Sequence, residues 1–466
     1  MQIVAPLSLP ASEIVGNPQF SYFSFVYRRP TNFSTEFVTV AFDGTTRLDY
    51  GTANTFIVAN VPRVGDLMMT VYLSFTLPDI YADDTTRFRW VDKVACALIS
   101  EVRIKVGGQI IERFPGSWLD LNSELALSAT QRAGHDRLSG NVPSFTAPSA
   151  TTGLAQIQNN DITYAPYPAG DRANRVPSIR GRQLWIPLPV WFSRTPGHAL
   201  PLIALQGAPV EIDVDVRPWN ALYQLWDQFS ERFCSPNNYP VGEHTIDGAF
   251  VNTTTPQLGA FLEQPVYGSG SVDLLANLEC EYAFLGAGER ESVATVPRTI
   301  MIDVVRPTVS QTGLSGSTNQ DLVIVEPTRE LVWMFRRTDA LLNNDYTNTT
   351  AAQPADDNQP ALLTATLLLD GIARMDAKPG AFFDTLQPLQ YHVGVPRPGV
   401  HVWSFALAPD KPVPSGFLDL TGFHRVQLQI TLAPLPSPES FQLDLFALTH
   451  NFLTVANGVA GLKFAV

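Results

Sequence analysis

The stretch "LMMTVYLSFTL", residues 67–77, alternates strongly and weakly apolar side chains with a period of two. Leu67, Met69, Val71, Leu73, Phe75 and Leu77 fall on one side of an extended chain, and Thr70, Tyr72, Ser74 and Thr76 on the other. That is the pattern of a strand with one covered face. Three more stretches repeat it. In "EVRIKV" Val102, Ile104 and Val106 alternate with Glu101, Arg103 and Lys105, and Gly107-Gly108 behind them suits the positive φ angles of a tight hairpin. "VEIDVDV" (210–216) and "RVQLQITL" (425–432) alternate in the same way. The 37 prolines and 31 glycines are spread along the chain, as many short strands joined by turns require. The fold class read from these residues is all-β and antiparallel.

A chain of 466 residues exceeds one ordinary domain, and 45% hydrophobic against 16% charged residues can fill sizeable cores. Helical spacing is rare. "WNALYQLWDQF" (219–229) places Trp219, Leu222, Tyr223, Trp226 and Phe229 at helical intervals after Pro218. "GSWLDLNSELAL" (116–127) reads as a second helix, with Ser117 as N-cap, Asp120 three residues on, and Trp118, Leu121 and Leu125 on one face. The expected division is an arm and entry segment (1–30), a first β-rich half (31–217), a helical linker (218–240) and a second half (241–466). Residues 131–181, 306–321 and 338–360 are rich in Ser, Thr, Asn, Pro and Gly and read as long loops.

Chemistry is scarce. The net charge of −13 and the lack of any basic block argue against a general nucleic-acid-binding role. Cys96, Cys234 and Cys280 lie far apart, so they read as free thiols rather than a disulfide framework or metal site. No zincin, Walker, nucleophile-elbow or dinucleotide motif occurs. Asp213 and Asp215 imitate a metal-binding pair, but they fall on the polar face of an alternating strand and read as solvated. His392 and His401 are too isolated to suggest a metal site, and Glu279 and Glu281 suit one exposed strand face. The expectation is a non-enzyme with no catalytic residue, metal or cofactor. The N-terminal "MQIVAPLSLPASEIVG" lacks the basic start of a signal peptide, so secretion is not expected, and Asn32, Asn252 and Asn348 read as unmodified although they match the glycosylation pattern.

The stretch "GNPQFSYFSFVYRRPTNFSTEF" (16–37) sets Arg28 and Arg29 among aromatics, as a base-stacking platform would. It is also similar to the N-terminal signature of the major capsid proteins of nucleocytoplasmic large DNA viruses, carried here by Gly16, Asn17, Pro18, Gln19, Tyr27, Arg28, Arg29, Asn32 and Phe33. "ISEVRIKVGGQIIERFPGSWLDLNSEL" (99–125) resembles that family's hairpin and tryptophan-bearing helix through Gly107, Gly108, Gln109 and Trp118. "RQLWIPLPVWFSRTPGHALPLIALQGAPVEIDVDV" (182–216) resembles its most recognisable block through Trp191, Phe192, Arg194, Pro196 and Gly197. "EPTRELVWMFRR", "ATLLLDGIARM", "FDTLQPLQYHVGVPRPGVHVWSFALAPDKPVPSG" and "ALTHNFLTVANGVAGLKF" follow in the family's order. Pro30 stands where the family usually has histidine, and "FLDLTGFHR" replaces its usual run after "PSG".

The resemblance implies a double jelly roll, two eight-stranded antiparallel sandwiches side by side in one chain. It further implies a homotrimeric, pseudo-hexagonal capsomer that meets neighbouring capsomers and minor capsid and penton proteins. Such capsomers tile an icosahedral shell around an internal membrane, so the chain would reside in the virion and touch no nucleic acid directly. The arm 1–16 is then expected on the inner side near that membrane, and loops 131–181 and 338–360 on the outer side. The aromatics of 16–33 would pack beneath the first barrel. The alternative is a jelly-roll carbohydrate-binding protein, which would need an export signal and a carboxylate or aromatic binding cluster.

Overall fold

The computed structural model describes residues 31–464, except 52, 84–85, 149–155, 159–160, 164–166, 228–229, 241, 247–248, 254–256 and 266–270. Side chains are further left out between 151 and 166 and between 241 and 256. The entry segment with Gly16, Asn17, Pro18, Gln19, Tyr27, Arg28 and Arg29 therefore lies outside the described residues.

Eight strands form the first sandwich: β1 (Phe33–Ala41), β2 (Thr55–Asn60), β3 (Leu67–Thr76), β4 (Ile99–Val106), β5 (Gln109–Pro115), β6 (Gln183–Pro187), β7 (Val210–Val216) and β8 (Asn277–Leu285). They make two four-stranded antiparallel sheets, β1-β8-β3-β6 and β2-β7-β4-β5. The second sandwich uses β9 (Arg298–Leu314), β10 (Ser317–Asp321), β11 (Thr328–Arg337), β12 (Leu362–Leu369), β13 (Val400–Ser404), β14 (Val426–Leu432), β15 (Phe441–Ala456) and β16 (Val459–Leu462). One sheet runs β9-β15-β11-β13 with β16 on β15, and the other runs β10-β14-β12 with two short strands beside β12. Apart from the β4–β5 and β15–β16 hairpins, sequence neighbours sit in opposite sheets, so those connections cross the sandwich. This is the jelly-roll winding.

The period-two reading holds where the ladder is regular. Val102, Ile104 and Val106 of β4 and Val210, Ile212, Val214 and Val216 of β7 are buried. Gly107 and Gly108 take φ +59° and +81° at the β4–β5 turn. In β3 the pattern slips: Met68 is fully buried while Met69 is half-buried. The β8 register jumps from Glu281↔Thr70 to Tyr282↔Met68, so Met69 is the extra residue of a bulge and the alternation reverses there.

Several expectations are corrected. Residues 219–227, the described part of the expected helix, are not helical as expected: a short 3₁₀ turn (Trp219–Ala221) leads into a strand, Tyr223–Asp227, which pairs with Phe88–Trp90 and Arg232–Cys234. Partner strands on both sides satisfy its backbone, and Phe88 stacks on Tyr223 with ring centroids 4.8 Å apart. Nor does 218–240 separate the halves, because the chain returns to place β8 between β1 and β3. Residues 306–321 are the end of β9 and all of β10, polar because both are edge strands of their sheets. Residues 131–139 belong to helix α2 (Ala129–Ser139), opened by a capping box between Ser128 and Gln131.

Helix α1 (Gly116–Leu125) begins after Pro115 with no side-chain cap, so Ser117 is not its N-cap. Its first residue is Gly116 because a Cβ there would lie 2.0 Å from the Ile99 carbonyl oxygen and 2.6 Å from that of Cys96. By contrast, nothing lies within 4 Å of a Cβ placed on Gly288, in the helix Ala287–Thr295. Gly116→Ala should therefore cost about 3 kcal/mol or more, at the upper end of overpacking effects. Gly288→Ala should be neutral or stabilise by up to ~1 kcal/mol. Denaturant unfolding of both variants checks this, and equal midpoints would refute the close approach at Gly116.

Candidate functional site

Trp118 and Arg194, among the residues that resemble the capsid signature, lie where the two sandwiches join. Trp118 projects from α1 and is buried, its ring 5.4 Å from Phe446 of β15. Trp191 and Phe192 pack edge to face at 5.0 Å in a 3₁₀ turn, Trp191–Ser193, and both are buried. Arg194 then reaches Asp303 of β9 at 3.1 Å. At the β4–β5 turn, Gly107 N–H donates to the Pro209 carbonyl, and the neighbouring Gly207 N–H donates to Gly458 of the second sandwich at 2.9 Å. Gln109 is exposed nearby, while Pro196 and Gly197 form an exposed turn away from these contacts. Asn32 and Phe33 are exposed at the start of β1.

Charged side chains bind the seam more specifically than these rings do. Asp120 and Glu124 lie four residues apart on α1, and both are buried. Lys93 bridges them at 2.6 and 2.5 Å, and Arg397 of the second sandwich reaches Asp120 at 2.5 Å and Glu124 at 3.3 Å. Asp120 is thus an ion-pair partner rather than a member of a capping box. Burial alone would raise both carboxyls, but Arg397 and Lys93 outweigh it and hold them below their ordinary range. A second knot gathers Arg194, Arg329 and His450 around Asp303. Arg336 and Asp444 form a further buried pair within the second sandwich.

A third group joins the irregular stretches. Asn344, in the left-handed region at φ +59°, donates to the carbonyls of Asn220 and Tyr223. Ser235 donates to the Leu342 carbonyl and Gln224 to that of Asn343. The stretch 338–360 is thus not a loop throughout: it opens with a helical turn, Thr338–Leu342, and Asn343, Asn344 and Tyr346 behind it are tied to Asn220, Ala221, Tyr223 and Gln224 instead of standing free. Asn348 is 2% exposed with both ends of its amide engaged, so the fold leaves no room for a sugar there. Asn252 lies in a strand, Ala249–Thr253, whose side chains are outside the described set.

Two features that resemble catalytic parts are inert. His392 lies with Nε2 3.1 Å from Glu330 and Nδ1 2.9 Å from Asp410. Burial would lower its pKa, but the two carboxylates push it up to about 10, so the ring is a fixed cation and no base. The thiols of Cys96 and Cys280 are buried and pushed up to about 12 by desolvation, so neither is a nucleophile at neutral pH. Asp213 is also not solvated as expected. It is 1% exposed and paired with Lys105 of the neighbouring strand at 2.5 Å. No sequence motif points to Lys93, Glu124, Arg397, Asp303 or Arg329. One signal did exist: two carboxylates four apart on an apolar helix demand cations from elsewhere.

Two eight-stranded sandwiches of jelly-roll winding, joined along a buried seam, define a double jelly-roll protein. The family described as "Major capsid protein N-terminus" matches residues 21–250, and "Large eukaryotic DNA virus major capsid protein" matches residues 289–461. The major capsid protein of Phaeocystis pouchetii virus is 26% identical, over 97% of this chain and 96% of its own. That of Paramecium bursaria Chlorella virus 1 is 25% identical with the same coverage of each chain. In structure, the chain of a quasi-atomic model of the PBCV-1 virus capsid superposes with a TM-score of 0.68 at 20% identity, over 96% of this chain and all of that one. The Faustovirus major capsid protein gives 0.67 at 12% identity, over 94% of this chain and 93% of that one. The chain belongs to the major capsid proteins of large eukaryotic DNA viruses, and its role is structural.

Glu112 tests the seam by pH. It is fully buried on β5, where its Oε2 accepts from Trp191 N–H at 3.2 Å and its Oε1 has no partner. Desolvation pushes it up to about 7 from 4.5, despite Arg194 and Arg306 nearby. An acid whose folded pKa is raised contributes stability below its unfolded value, and that contribution is lost as pH rises through the folded one. Glu112→Gln should therefore gain on the native protein by on the order of 3 kcal/mol between pH 4.5 and 8. A gap that does not change with pH would refute the buried, unpaired carboxyl.

The depressed carboxylates have the opposite sign. Their stabilisation is present above the ordinary carboxylate range and lost on acidification. Asp120→Asn leaves Lys93 and Arg397 with Glu124 alone and should cost about 3–5 kcal/mol in denaturant unfolding at pH 7. A loss under about 1 kcal/mol, as for a surface pair, would show the seam pairs to be solvated.

Proposed function

We propose that three copies of this chain form a pseudo-hexagonal capsomer that tiles an icosahedral shell around an internal membrane. The observation that carries the reading is the seam. Two sandwiches of eight strands each are held at one angle by buried ion pairs and interlocked loops. A rigid block of two like modules, repeated by a three-fold axis, offers six similar edges, and a closed cyclic assembly of this kind tiles a surface. On this reading Trp118, Trp191 and Arg194 serve assembly by fixing the block. The partners are neighbouring capsomers together with minor capsid and penton proteins, and the chain resides in the virion.

The protein acts without catalysis and without touching nucleic acid, in keeping with its net charge of −13. The inner and outer placements of arm 1–16 and loop 131–181 belong to the same proposal. Purified full-length chain should sediment at three times the mass of one chain and appear as hexagonal plates in electron micrographs. A stable monomer at micromolar concentration, with no particle formed, would overturn the proposal.

A further inference from the structure

A cavity of about 370 Å³ lies in the seam, between the β3–β6 side of the first sandwich and β11 and β15 of the second. Trp118, Leu119, Leu125, Leu188 and Leu448 give it an apolar wall. At the other end stand Arg194, Arg329, Glu330, His392 and Asp410. The volume suits roughly a dozen non-hydrogen atoms, at the ~30 Å³ that a molecule of liquid water occupies.

Ser193 Oγ and His135 Nδ1 on its wall have no hydrogen-bond partner in the protein, and Arg329 Nε has only a 3.5 Å ionic contact with Glu330. Arg329 is 5% exposed and His135 7%, so bulk water does not satisfy them. A buried polar atom without a partner costs roughly 1–3 kcal/mol, so an occupant that can bond to these atoms is favoured.

Charge decides what kind of occupant fits. The cations Arg194, Arg329 and His392 are met by Asp303, Glu330 and Asp410 through contacts of 2.6–3.1 Å. Cations and anions are thus equal in number, and a bound carboxylate would add an uncompensated buried charge. We propose that the seam cavity binds a neutral amphiphile, an alkyl chain of about eight to ten carbons lying on the Trp118 wall with a hydroxyl or carbonyl head at Ser193 and Arg329. Such a ligand touches both sandwiches and stabilises their union by mass action.

The probe is 1-octanol, with octanoate as its charged counterpart, titrated into the full-length protein by calorimetry. The expected result is one saturable site per chain for 1-octanol and at least tenfold weaker binding of octanoate. Ser193→Ala removes an atom that bonds nothing in the protein, so it should keep the native unfolding midpoint and weaken 1-octanol about fivefold. Ala126→Trp, at an exposed rim position, should abolish binding, with the unfolding midpoint in buffer confirming its fold. No saturable 1-octanol binding, equal binding by Ala126→Trp, or octanoate binding as tightly as 1-octanol would each overturn the proposal. Any of these would leave water as the cavity's content.

Discussion

Two carboxylates on one turn of a buried helix govern how the halves of this protein unite. Asp120 and Glu124 face inward from α1, and on their own half of the chain Lys93 meets both while Arg132 of α2 meets Glu124 at 3.1 Å. Lys93 sits in the left-handed region at φ +50°, so the backbone adopts an uncommon conformation where this cation is presented. Arg397 from the second sandwich then grips Asp120 through two N–H donors and reaches Glu124 as well, so each carboxylate also has a cation across the seam. The set of contacts around helix α1 is therefore complete only when the second sandwich is docked. The folding of one half is linked to the placement of the other.

The same logic runs along the rest of the junction. Asp303 gathers Arg194 from one half and Arg329 and His450 from its own, so its neutralisation is shared across the seam. Farther along, Asn344 replaces charge with geometry. Its left-handed backbone turns the amide toward the carbonyls of Asn220 and Tyr223, to which it donates. The Trp118–Phe446 contact adds apolar burial at the centre, but apolar contact is non-directional and does not set a register. The polar partners set it.

What the sequence disclosed follows from what is local. Alternation in β4, β7 and β14 depends only on which face of each strand is covered, and it was legible there. It failed at Met69 because a bulge depends on the register of β8, more than two hundred residues away. Helical spacing at 219–229 misled because the pairing of Tyr223–Asp227 with Phe88–Trp90 is tertiary. The polar stretch 306–321 resembled a loop because edge strands carry polar side chains. Helix α2 was readable in principle, since Ser128 and Gln131 form a capping box three residues apart. The capsid signature led to the seam through Trp118, Trp191 and Arg194. The charges that complete it come from Lys93, Arg397 and Asp303, which no contiguous motif unites.

A seam built from ions is not the most stable choice available. Well-packed apolar residues of similar volume often stabilise as much or more, because each buried charge is taken out of water at a cost. What ion pairs add is intolerance of misplacement. An apolar face permits a slide of one or two ångströms at small loss, whereas the same slide leaves Asp120 or Asp303 buried without its cation. Two jelly rolls in one chain expose similar strands and could pack in several registers, and the costs attached to these carboxylates remove the competitors. For a protein repeated many times in one shell, an error in the angle between its halves recurs in every copy, so fixing that angle matters more than the last increment of stability. The buried charges of the seam fit that requirement, and the net stability they forgo is recovered by apolar burial, including a core that runs from the first sandwich across the seam to Val332, Met334, Val402 and Leu448.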